Sequence, residues 1–343
     1  MTDSSPLVTV VVPTCNRPDL IRRCLDALAV QTYSAMEVIV VDDGSDDDTP
    51  DVLQAFGEAH PDLNYRWLRN ETNLGANPSR NRGIDDANGS FIAFLDSDCI
   101  AEPDWLERLM AAFTSEDIAA VTGLVRDPEP TNIYELTFKG THRMGSAGEA
   151  HRLVAGNMAI RRDLLMKYRL DHDRAETAKL KDGRVDTAVS GRGDEEGLSI
   201  MLRRDGHRMR TAPDAAVFHE HYYTRRSFFR QAVRGGRSAA RLVYKYRLPP
   251  RLDMLPFIVT YIALLIALPL AFAIGWWLMI VPAAWALLAL AAITYNDIAR
   301  KGKTVLETAK SFPVLLAYYH VRLWGYVTEA IALRLGMRDV TRV

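Results

Sequence analysis

The feature that most limits how this chain can fold is a run of 40 residues, from Leu255 to Thr294, without a single Asp, Glu, Lys or Arg. A helix needs about 20 apolar residues to cross a bilayer, so the run is long enough for two crossings. Gly275, Trp276 and Trp277 lie near its middle, where a turn and an interfacial aromatic belt are expected. The run therefore predicts a transmembrane helical hairpin. The alternative is a buried hairpin in a soluble core, but soluble helices of this length normally carry a polar face.

The predicted spans are about 255–274 and 278–295, and both flanks of the hairpin are basic. The flanking cations are Arg247, Arg251, Arg300, Lys301 and Lys303. Because positive loops stay on the cytoplasmic side, the pattern predicts a multi-pass protein of the cell (inner) membrane with its large N-terminal portion in the cytoplasm. The tail 296–343 alternates apolar and basic residues, which is typical of amphipathic helices in the membrane interface. Packing of that tail on the soluble portion is the alternative.

The whole-chain composition hides this hairpin and excludes other classes. The 343 residues include 42 Lys and Arg against 43 Asp and Glu, with a mean hydropathy of −0.08. No global positive field exists to hold a nucleic-acid backbone, so no nucleic-acid partner is expected. The cysteines Cys15, Cys24 and Cys99 are odd in number and lack the paired close spacing of a zinc site. They predict reduced thiols rather than a disulfide framework.

The N-terminal portion alternates short β-branched runs with helical patterns, which predicts a layered α/β domain with a mostly parallel sheet. The predicted strands are Leu7–Val12, Glu37–Val41, Asn64–Arg69, Phe91–Leu95 and Ala119–Val125. The predicted helices between them are Asp19–Gln31, Thr49–His60, Ala76–Asn88 and Pro103–Phe113. The whole chain divides into a catalytic domain at 1–240, a juxtamembrane linker at 241–254, the hairpin at 255–295 and the tail at 296–343.

Polar residues follow three of the predicted strands at their carboxyl ends. Ligands bind at these ends in sheets of this kind. Thr14 follows the first strand, Asp42 and Asp43 end the second, and Asp96 and Asp98 come directly after the fourth. Clustered carboxylates repel one another unless a cation neutralises them. Asp96 and Asp98 are therefore predicted to meet a Mg²⁺ or Mn²⁺ ion that also binds a diphosphate.

These residues belong to four segments that occur in a specific order: VVVPTCNRPDLIRRCLDAL, VIVVDDGSDDDT, NLGANPSRNRGIDDANGSFIAFLDSD and VAGNMAIRRDLL. Together they resemble family 2 glycosyltransferases of the GT-A fold, over about residues 7–240. The resemblance implies a metal-dependent transfer of a sugar from a nucleotide diphosphate sugar donor, with inversion at the anomeric carbon. A sugar-phosphate nucleotidyltransferase would need a glycine-rich loop after the first strand, which PTCNRPD lacks.

The resemblance also implies roles for residues that would bind the donor. Those expected near the base, the ribose or the phosphates are Pro13, Thr14, Arg17, Asp42, Asp43, Asn77, Arg80 and Asp96. Asp98 is expected to ligate the metal directly, and Asp96 to reach it through water or to touch the ribose. His219 follows a strand-like segment and matches a histidine that completes the metal shell in relatives.

The general base of an inverting transfer must be an acid on the face opposite the leaving group. The family places it in a Glu-Asp pair that opens a helix, whereas this chain has Asp194 followed by Glu195, so the usual order is inverted. Glu195 is expected to be the base and Asp194 is the alternative. All of these acids could instead cap the helix.

Two further segments resemble the acceptor side of the family. Gly156 and Asn157 match the wall of the acceptor pocket, and Gln231 with Arg234 resembles a reduced QxxRW motif of processive synthases without its Trp. Because two spans are too few for a polymer channel, a non-processive enzyme with a lipid-linked saccharide acceptor is expected. The alternatives are a polyprenyl-phosphate glycosyltransferase and a catalytically inactive membrane scaffold.

Overall fold

The computed structural model of the chain describes residues 5–140, 147–170, 194–220, 222–249 and 255–337. Contacts within the chain fall into two compact units. The first comprises Met1–Pro128 and His142–His221, and the second comprises Glu129–Thr141 and Tyr222–Val343. The boundary predicted at residue 240 therefore falls inside a helix of the second unit.

The first unit is built on a nine-stranded sheet in the order β3-β2-β1-β4-β8-β6-β9-β5, with β7 paired to β9. The strands are β1 (Val8–Thr14), β2 (Met36–Asp42), β3 (Tyr65–Arg69), β4 (Phe91–Leu95), β5 (Cys99–Ala101), β6 (Ile118–Arg126), β7 (Gly148–Glu149), β8 (Asn157–Arg161) and β9 (Arg208–His219). Its helices are α1 (Pro18–Ala29), α2 (Thr49–Ala59), α3 (Ala76–Asp86), α4 (Trp105–Ala111), α6 (Arg162–Tyr168) and α7 (Asp194–Arg204).

The N-terminal half of the sheet is parallel, as the alternation of strands and helices predicts. Strands β3, β2, β1 and β4 run in one direction. The other half is mixed, because β8 runs antiparallel to β4 and β6, and β9 is parallel to β6 but antiparallel to β5. The sheet as a whole is thus mixed rather than mostly parallel, because β8 and β5 run opposite to the strands they pair with.

Both faces of the sheet are covered, which explains why the first strands are continuous apolar runs. Val8, Val10 and Val12 of β1 pack into one core with α1 and α4, whereas Val11 packs into the second core on the opposite face with Ile84 of α3. Successive strand residues point to opposite faces, so strands that are buried on both sides are mostly apolar, and the buried polar residues Thr9 of β1 and Glu37 of β2 are hydrogen-bonded to each other. This burial fixes the strand ends, where the polar residues begin.

The second unit is helical. Its helices are α5 (Ile133–Phe138), α8 (Arg225–Lys245), α9 (Leu255–Ala273), α10 (Ile280–Tyr295) and α11 (Val305–Arg334). Helices α8, α5 and α11 share an aromatic core that includes Phe138, Phe228 and Tyr318. The tail is therefore one long helix that packs on α8 and α5, where the sequence predicted several interfacial helices.

Helices α9 and α10 contact each other and form a helical hairpin. Gly275, with φ of 151°, and the 3₁₀ turn Trp276–Met279 join them, and a π-helix Asn296–Arg300 extends α10. Among the described residues, the helical stretch Trp276–Arg300 is long and apolar enough to cross a membrane, whereas Phe257–Ala273 is shorter. Leu265, Phe272, Val281 and Leu287 are each more than half exposed.

Candidate active site

The loops that follow β1 and β2 lie side by side because the two strands are parallel and in register up to Thr14 and Asp42. The backbone amide of Asn16 donates to Ser45 Oγ over 2.9 Å, and Asp46 donates its amide to Asn16 Oδ1 over 2.9 Å. These bonds tie both loops into one rigid edge. The sequence therefore located the site at the correct end of the strands.

Asp98 lies at this edge and is contacted by two side chains from distant parts of the chain. Arg17 Nη1 donates to Asp98 Oδ2 over 2.7 Å. His219 Nε2 lies 3.5 Å from the other oxygen, Oδ1. The structure thus brings Asp98 and His219 together, as the resemblance implies, and gives Arg17 an ion pair with Asp98.

His219 is placed by strand register. His219 is the last residue of β9, and it lies opposite Cys99 in the antiparallel β5–β9 pair. Cys99 directly follows Asp98 in the sequence, so this pairing brings His219 to Asp98. Burial lowers the pKa of His219, but hydrogen bonds with Asp127 and Asp98 outweigh burial and raise that pKa to about 9. A cation bound at Nε2 would replace the proton there. His221 lies outside the described residues.

Asp98 Oδ1 and His219 Nε2 fit a divalent cation. Their 3.5 Å separation is close to that of two ligands on one ion with bonds of about 2.1 Å. The site also contains Cys99, because one ligand atom each from Asp98, Cys99 and His219 lie within 4.8 Å of one another. No local pattern marks Cys99 as a site residue, since β5 is three residues long and its partner lies 120 positions away.

Asp96 has a different environment from Asp98. Arg80 Nη2 donates to Asp96 Oδ1 over 2.6 Å, and Arg80 Nη1 donates to Asn77 Oδ1 over 3.2 Å. Gly156 lies against the other oxygen, since a Cβ there would be 2.8 Å from Asp96 Oδ2. Asp96 is therefore held by Arg80, and its expected contact with the ribose or with a metal-bound water stays a prediction.

The Asp43 carboxylate is held by other parts of the protein. The carboxylate accepts hydrogen bonds from Asn70 Nδ2 over 2.7 Å, from the Leu74 amide over 3.0 Å and from the Gly75 amide over 2.7 Å. Asp43 thus holds the loop that leads into α3, which carries Asn77 and Arg80. Asp43 therefore positions this loop, and its contact with the base or ribose stays a prediction.

Thr14 and Asp42 lie opposite each other at the ends of β1 and β2, next to buried Pro13. Ser45 Oγ donates to Asp42 Oδ1 over 2.5 Å. Thr14 Oγ1 is buried with no hydrogen-bond partner among the described residues. Asp42 Oδ2 is also buried, and it lies 3.4 Å from Arg69 Nε in an ion pair. Buried polar atoms are normally paired, so the Thr14 hydroxyl is a candidate partner for a ligand's donor group.

The acidic pair opens α7. Ser199 Oγ donates to the carbonyl of Glu195 over 2.5 Å and accepts from the Leu153 amide over 3.0 Å. Leu198 is buried in the core. The start of α7 is therefore fixed relative to the segment before β8, and Glu195 is half-buried there. The side chain of Asp194 lies outside the described residues.

Asn157 is a structural residue. Its side chain is completely buried; Oδ1 accepts from Trp105 Nε1 over 2.8 Å, and Nδ2 donates to the carbonyls of Leu124 and Ala215 over 2.9 Å each. These bonds join β6, β8 and β9, so the side chain has no face for an acceptor, contrary to the sequence expectation. Gln231 and Arg234 lie on α8 in the second unit.

Comparisons with known proteins agree with this geometry. The profile described as "Glycosyl transferase family 2" matches residues 9–169. The chain is 36% identical over 132 residues to glycosyltransferase AglE of Haloferax volcanii, covering 38% of this chain and 43% of AglE. It is 34% identical over 118 residues to the uncharacterized glycosyltransferase YibD of Escherichia coli K12, covering 34% of this chain and 33% of YibD. The chain thus spans less than half the length of these curated relatives.

The fold is similar to that of a solved GT-A structure. The mannosyltransferase PcManGT from Pyrobaculum calidifontis, solved in complex with GDP-Man and Mn²⁺, superposes with a TM-score of 0.57 at 22% identity, over 98% of this chain and 89% of that one. This similarity shows the fold. With the match over residues 9–169, it follows that this part of the chain is a glycosyl transferase family 2 domain and that its fold is GT-A.

Proposed function

We propose that this protein is an inverting glycosyltransferase that moves a sugar from a nucleotide diphosphate sugar to an acceptor hydroxyl or phosphate, with Mn²⁺ or Mg²⁺. The observation that carries the proposal is the convergence of Asp98 and His219 at the carboxyl edge of the sheet, 3.5 Å apart, inside a family 2 domain. Two proteins with this fold were solved in complex with GDP-Man and Mn²⁺ and with UDP, GalNAc and Mn²⁺. These complexes support the choice of donor class and metal.

Residues at three strand ends would bind different parts of the donor. Thr14 Oγ1 would accept from an N–H or O–H group of a nucleoside, and Asp42, which is paired with Arg69, would lie beside it. Arg80 is held by Asp96 and Asn77, so its guanidinium is fixed beside the edge where the diphosphate would lie. A bound cation would stabilise the negative charge that develops on the leaving diphosphate. Asp98 and His219 would hold that cation.

Glu195 is proposed to remove the proton from the acceptor, with Asp194 as the alternative base. Helix α7 is anchored by the bond from Leu153 to Ser199 and by buried Leu198, so its first turn is a rigid support for a carboxylate. Direct displacement by the acceptor inverts the configuration at the anomeric carbon, because the acceptor oxygen bonds to one face of this carbon while the nucleoside diphosphate leaves from the opposite face. The inverted Asp-Glu order leaves the choice between the two acids to experiment.

We further propose that the acceptor is a lipid-linked saccharide and that α9 and α10 anchor the protein as a two-pass hairpin. The support is the uncharged run with its exposed apolar side chains. Exposed Trp324, Val327 and Ile331 lie at helical spacing on α11, which supports contact of this helix with the membrane interface. Anchoring raises the local concentration of an acceptor that is confined to the bilayer.

Release of nucleoside diphosphate by the purified full chain, measured across a panel of nucleotide sugars with Mn²⁺, Mg²⁺ or chelator, tests the first proposal. We expect release from one donor class that chelator abolishes and that Asp98→Ala lowers about a thousandfold, because a metal contributes several kcal/mol. The matched control is Asp117→Ala, an exposed acid paired with Arg208. Absence of release from every donor would favour the inactive scaffold.

The base and the acceptor need separate tests. Glu195→Gln should lower turnover about a hundredfold or more, with little change in KM for the donor. If only Asp194→Asn has this effect, Asp194 is the base. Incubation with a lipid-linked saccharide or with bare polyprenyl phosphate separates the two acceptor classes, and transfer to the bare lipid alone would identify a polyprenyl-phosphate glycosyltransferase.

A further inference from the structure

Cys99 lies beside the metal ligands because of the β5–β9 pairing. In an antiparallel pair, residues directly opposite each other have side chains on the same face of the sheet. Cys99 is opposite His219 and follows Asp98 in the sequence. Two backbone bonds fix this arrangement, from the Cys99 amide to the Asp96 carbonyl over 2.9 Å and from the Glu220 amide to the Asp98 carbonyl over 2.7 Å.

We propose that the Cys99 thiolate is a third protein ligand for thiophilic divalent cations such as Zn²⁺, Cd²⁺ and Co²⁺ at the Asp98–His219 site, so that these ions bind more tightly than Mn²⁺ and displace it. This proposal rests on the metal site of the proposed function. It adds a ligand and an ion class, and it predicts that such ions inhibit the enzyme.

The distances permit three bonds to one ion after small side-chain rotations. Ligands around a tetrahedral zinc ion are about 3.5 Å apart, since Zn–S and Zn–N bonds are about 2.3 and 2.0 Å long. Asp98 Oδ1 and His219 Nε2 are already 3.5 Å apart, and all three ligand atoms lie within 4.8 Å. Movements of about 1 Å would therefore close the set, and a water or a donor phosphate would complete it.

The chemistry separates the two classes of ion. Mg²⁺ and Mn²⁺ prefer oxygen, so they would use Asp98 and His219 and leave the Cys99 thiol protonated. A thiophilic ion forms a metal–sulfur bond while the S–H bond breaks, and the proton passes to solvent or buffer.

Optical titration of the full chain with Co²⁺ tests this assignment without any sugar donor. We expect a thiolate-to-cobalt charge-transfer band in the near ultraviolet for the unchanged protein. Cys99→Ser should remove the band, whereas the matched controls Cys15→Ser and Cys24→Ser should keep it. Zn²⁺ should also displace Mn²⁺, which is measured by the paramagnetic signal of the released Mn²⁺. The Zn²⁺ concentration needed should be at least about tenfold lower for the unchanged protein than for Cys99→Ser.

A band that survives Cys99→Ser, or no band at all in the unchanged protein, would overturn the proposal. His219→Ala serves as a second variant if Cys99→Ser fails to fold, and it should weaken the band while leaving the thiol in place. The band does not depend on turnover. A protein that shows it but releases no nucleotide from any donor would keep the Cys99 assignment and refute the proposed function.

Discussion

Single carboxylates in this protein are fixed by several donors at once, and Glu37 shows what that contributes to stability. It is buried on β2 and accepts from Thr9 Oγ1 over 2.5 Å, Arg66 Nη1 over 2.7 Å and Asn88 Nδ2 over 2.6 Å. Burial alone would raise the pKa of Glu37, but these hydrogen bonds lower it to about 2, from 4.5. Because the folded-state pKa is depressed, the stabilisation is complete above about pH 4.5 and is lost as the pH falls towards 2.

Glu37→Gln should therefore lower the free energy of unfolding by on the order of 3 kcal/mol at pH 7. Thermal unfolding midpoints of the variant and the unchanged protein should converge as the pH falls from 4.5 towards 2. The matched control is Glu58→Gln. Glu58 is exposed on α2 and its carboxylate accepts a hydrogen bond from Gln54, so this change should leave the midpoint unchanged. A gap that stays constant down to the lowest pH would show that the Glu37 charge does not stabilise the fold.

Gly156 is required by the position of Asp96. A Cβ at residue 156 would lie 2.8 Å from Asp96 Oδ2, while Oδ1 is held by Arg80. Gly156→Ala should therefore displace the Asp96 carboxylate and lower nucleotide release about tenfold to a hundredfold, because small misplacements of active-site groups are costly. In an Asp96→Ala background the same glycine change should have little further effect on release. Equal losses in both backgrounds would show that Gly156 acts independently of Asp96.

At the scale of whole elements, helices α8 and α11 approach each other through glycines. A Cβ at Gly236 would lie 1.9 Å from the carbonyl oxygen of Arg322, and one at Gly325 would lie 2.5 Å from that of Val233. Gly236→Ala must push the helices apart and should destabilise the protein by about 1–3 kcal/mol. At Gly235, next along α8, a Cβ would be 3.7 Å from Arg322 Nε, so Gly235→Ala is the matched control and should leave the unfolding midpoint unchanged or slightly raised.

The sequence predicted those elements whose signal is local. Phe91–Leu95 is an apolar run with sharp polar ends, and its predicted limits agree with the structure. By contrast, β5 comprises only Cys99–Ala101 and exists because it pairs with β9, which no local pattern reveals. For the same reason the grouping of Asp98 with His219 came from resemblance, and Cys99 was missed. The roles of Asp43 and Asn157 as internal anchors also depend on partners far along the chain, which only the fold brings together.

At the scale of the whole molecule, the proposed hairpin makes a topological prediction. If α9 and α10 both cross the bilayer, the turn at Trp276 lies on one side, and Glu71 in the first unit and Lys310 on α11 both lie on the other. If only the stretch Trp276–Arg300 crosses, Glu71 and Lys310 lie on opposite sides. The two arrangements differ in the side on which a single exposed residue can be labelled.

Labelling with a membrane-impermeant maleimide, in sealed vesicles of known orientation, distinguishes them. Glu71→Cys, Lys310→Cys and Trp276→Cys would each be made in a Cys15→Ser background, since Cys24 and Cys99 are buried and should not react. We expect Glu71→Cys and Lys310→Cys to react in vesicles of one orientation and Trp276→Cys in the other. Reaction of all three from one side would show that the hairpin does not cross. Opposite labelling of Glu71→Cys and Lys310→Cys would show a single crossing, and the second unit would then have residues on both faces of the bilayer.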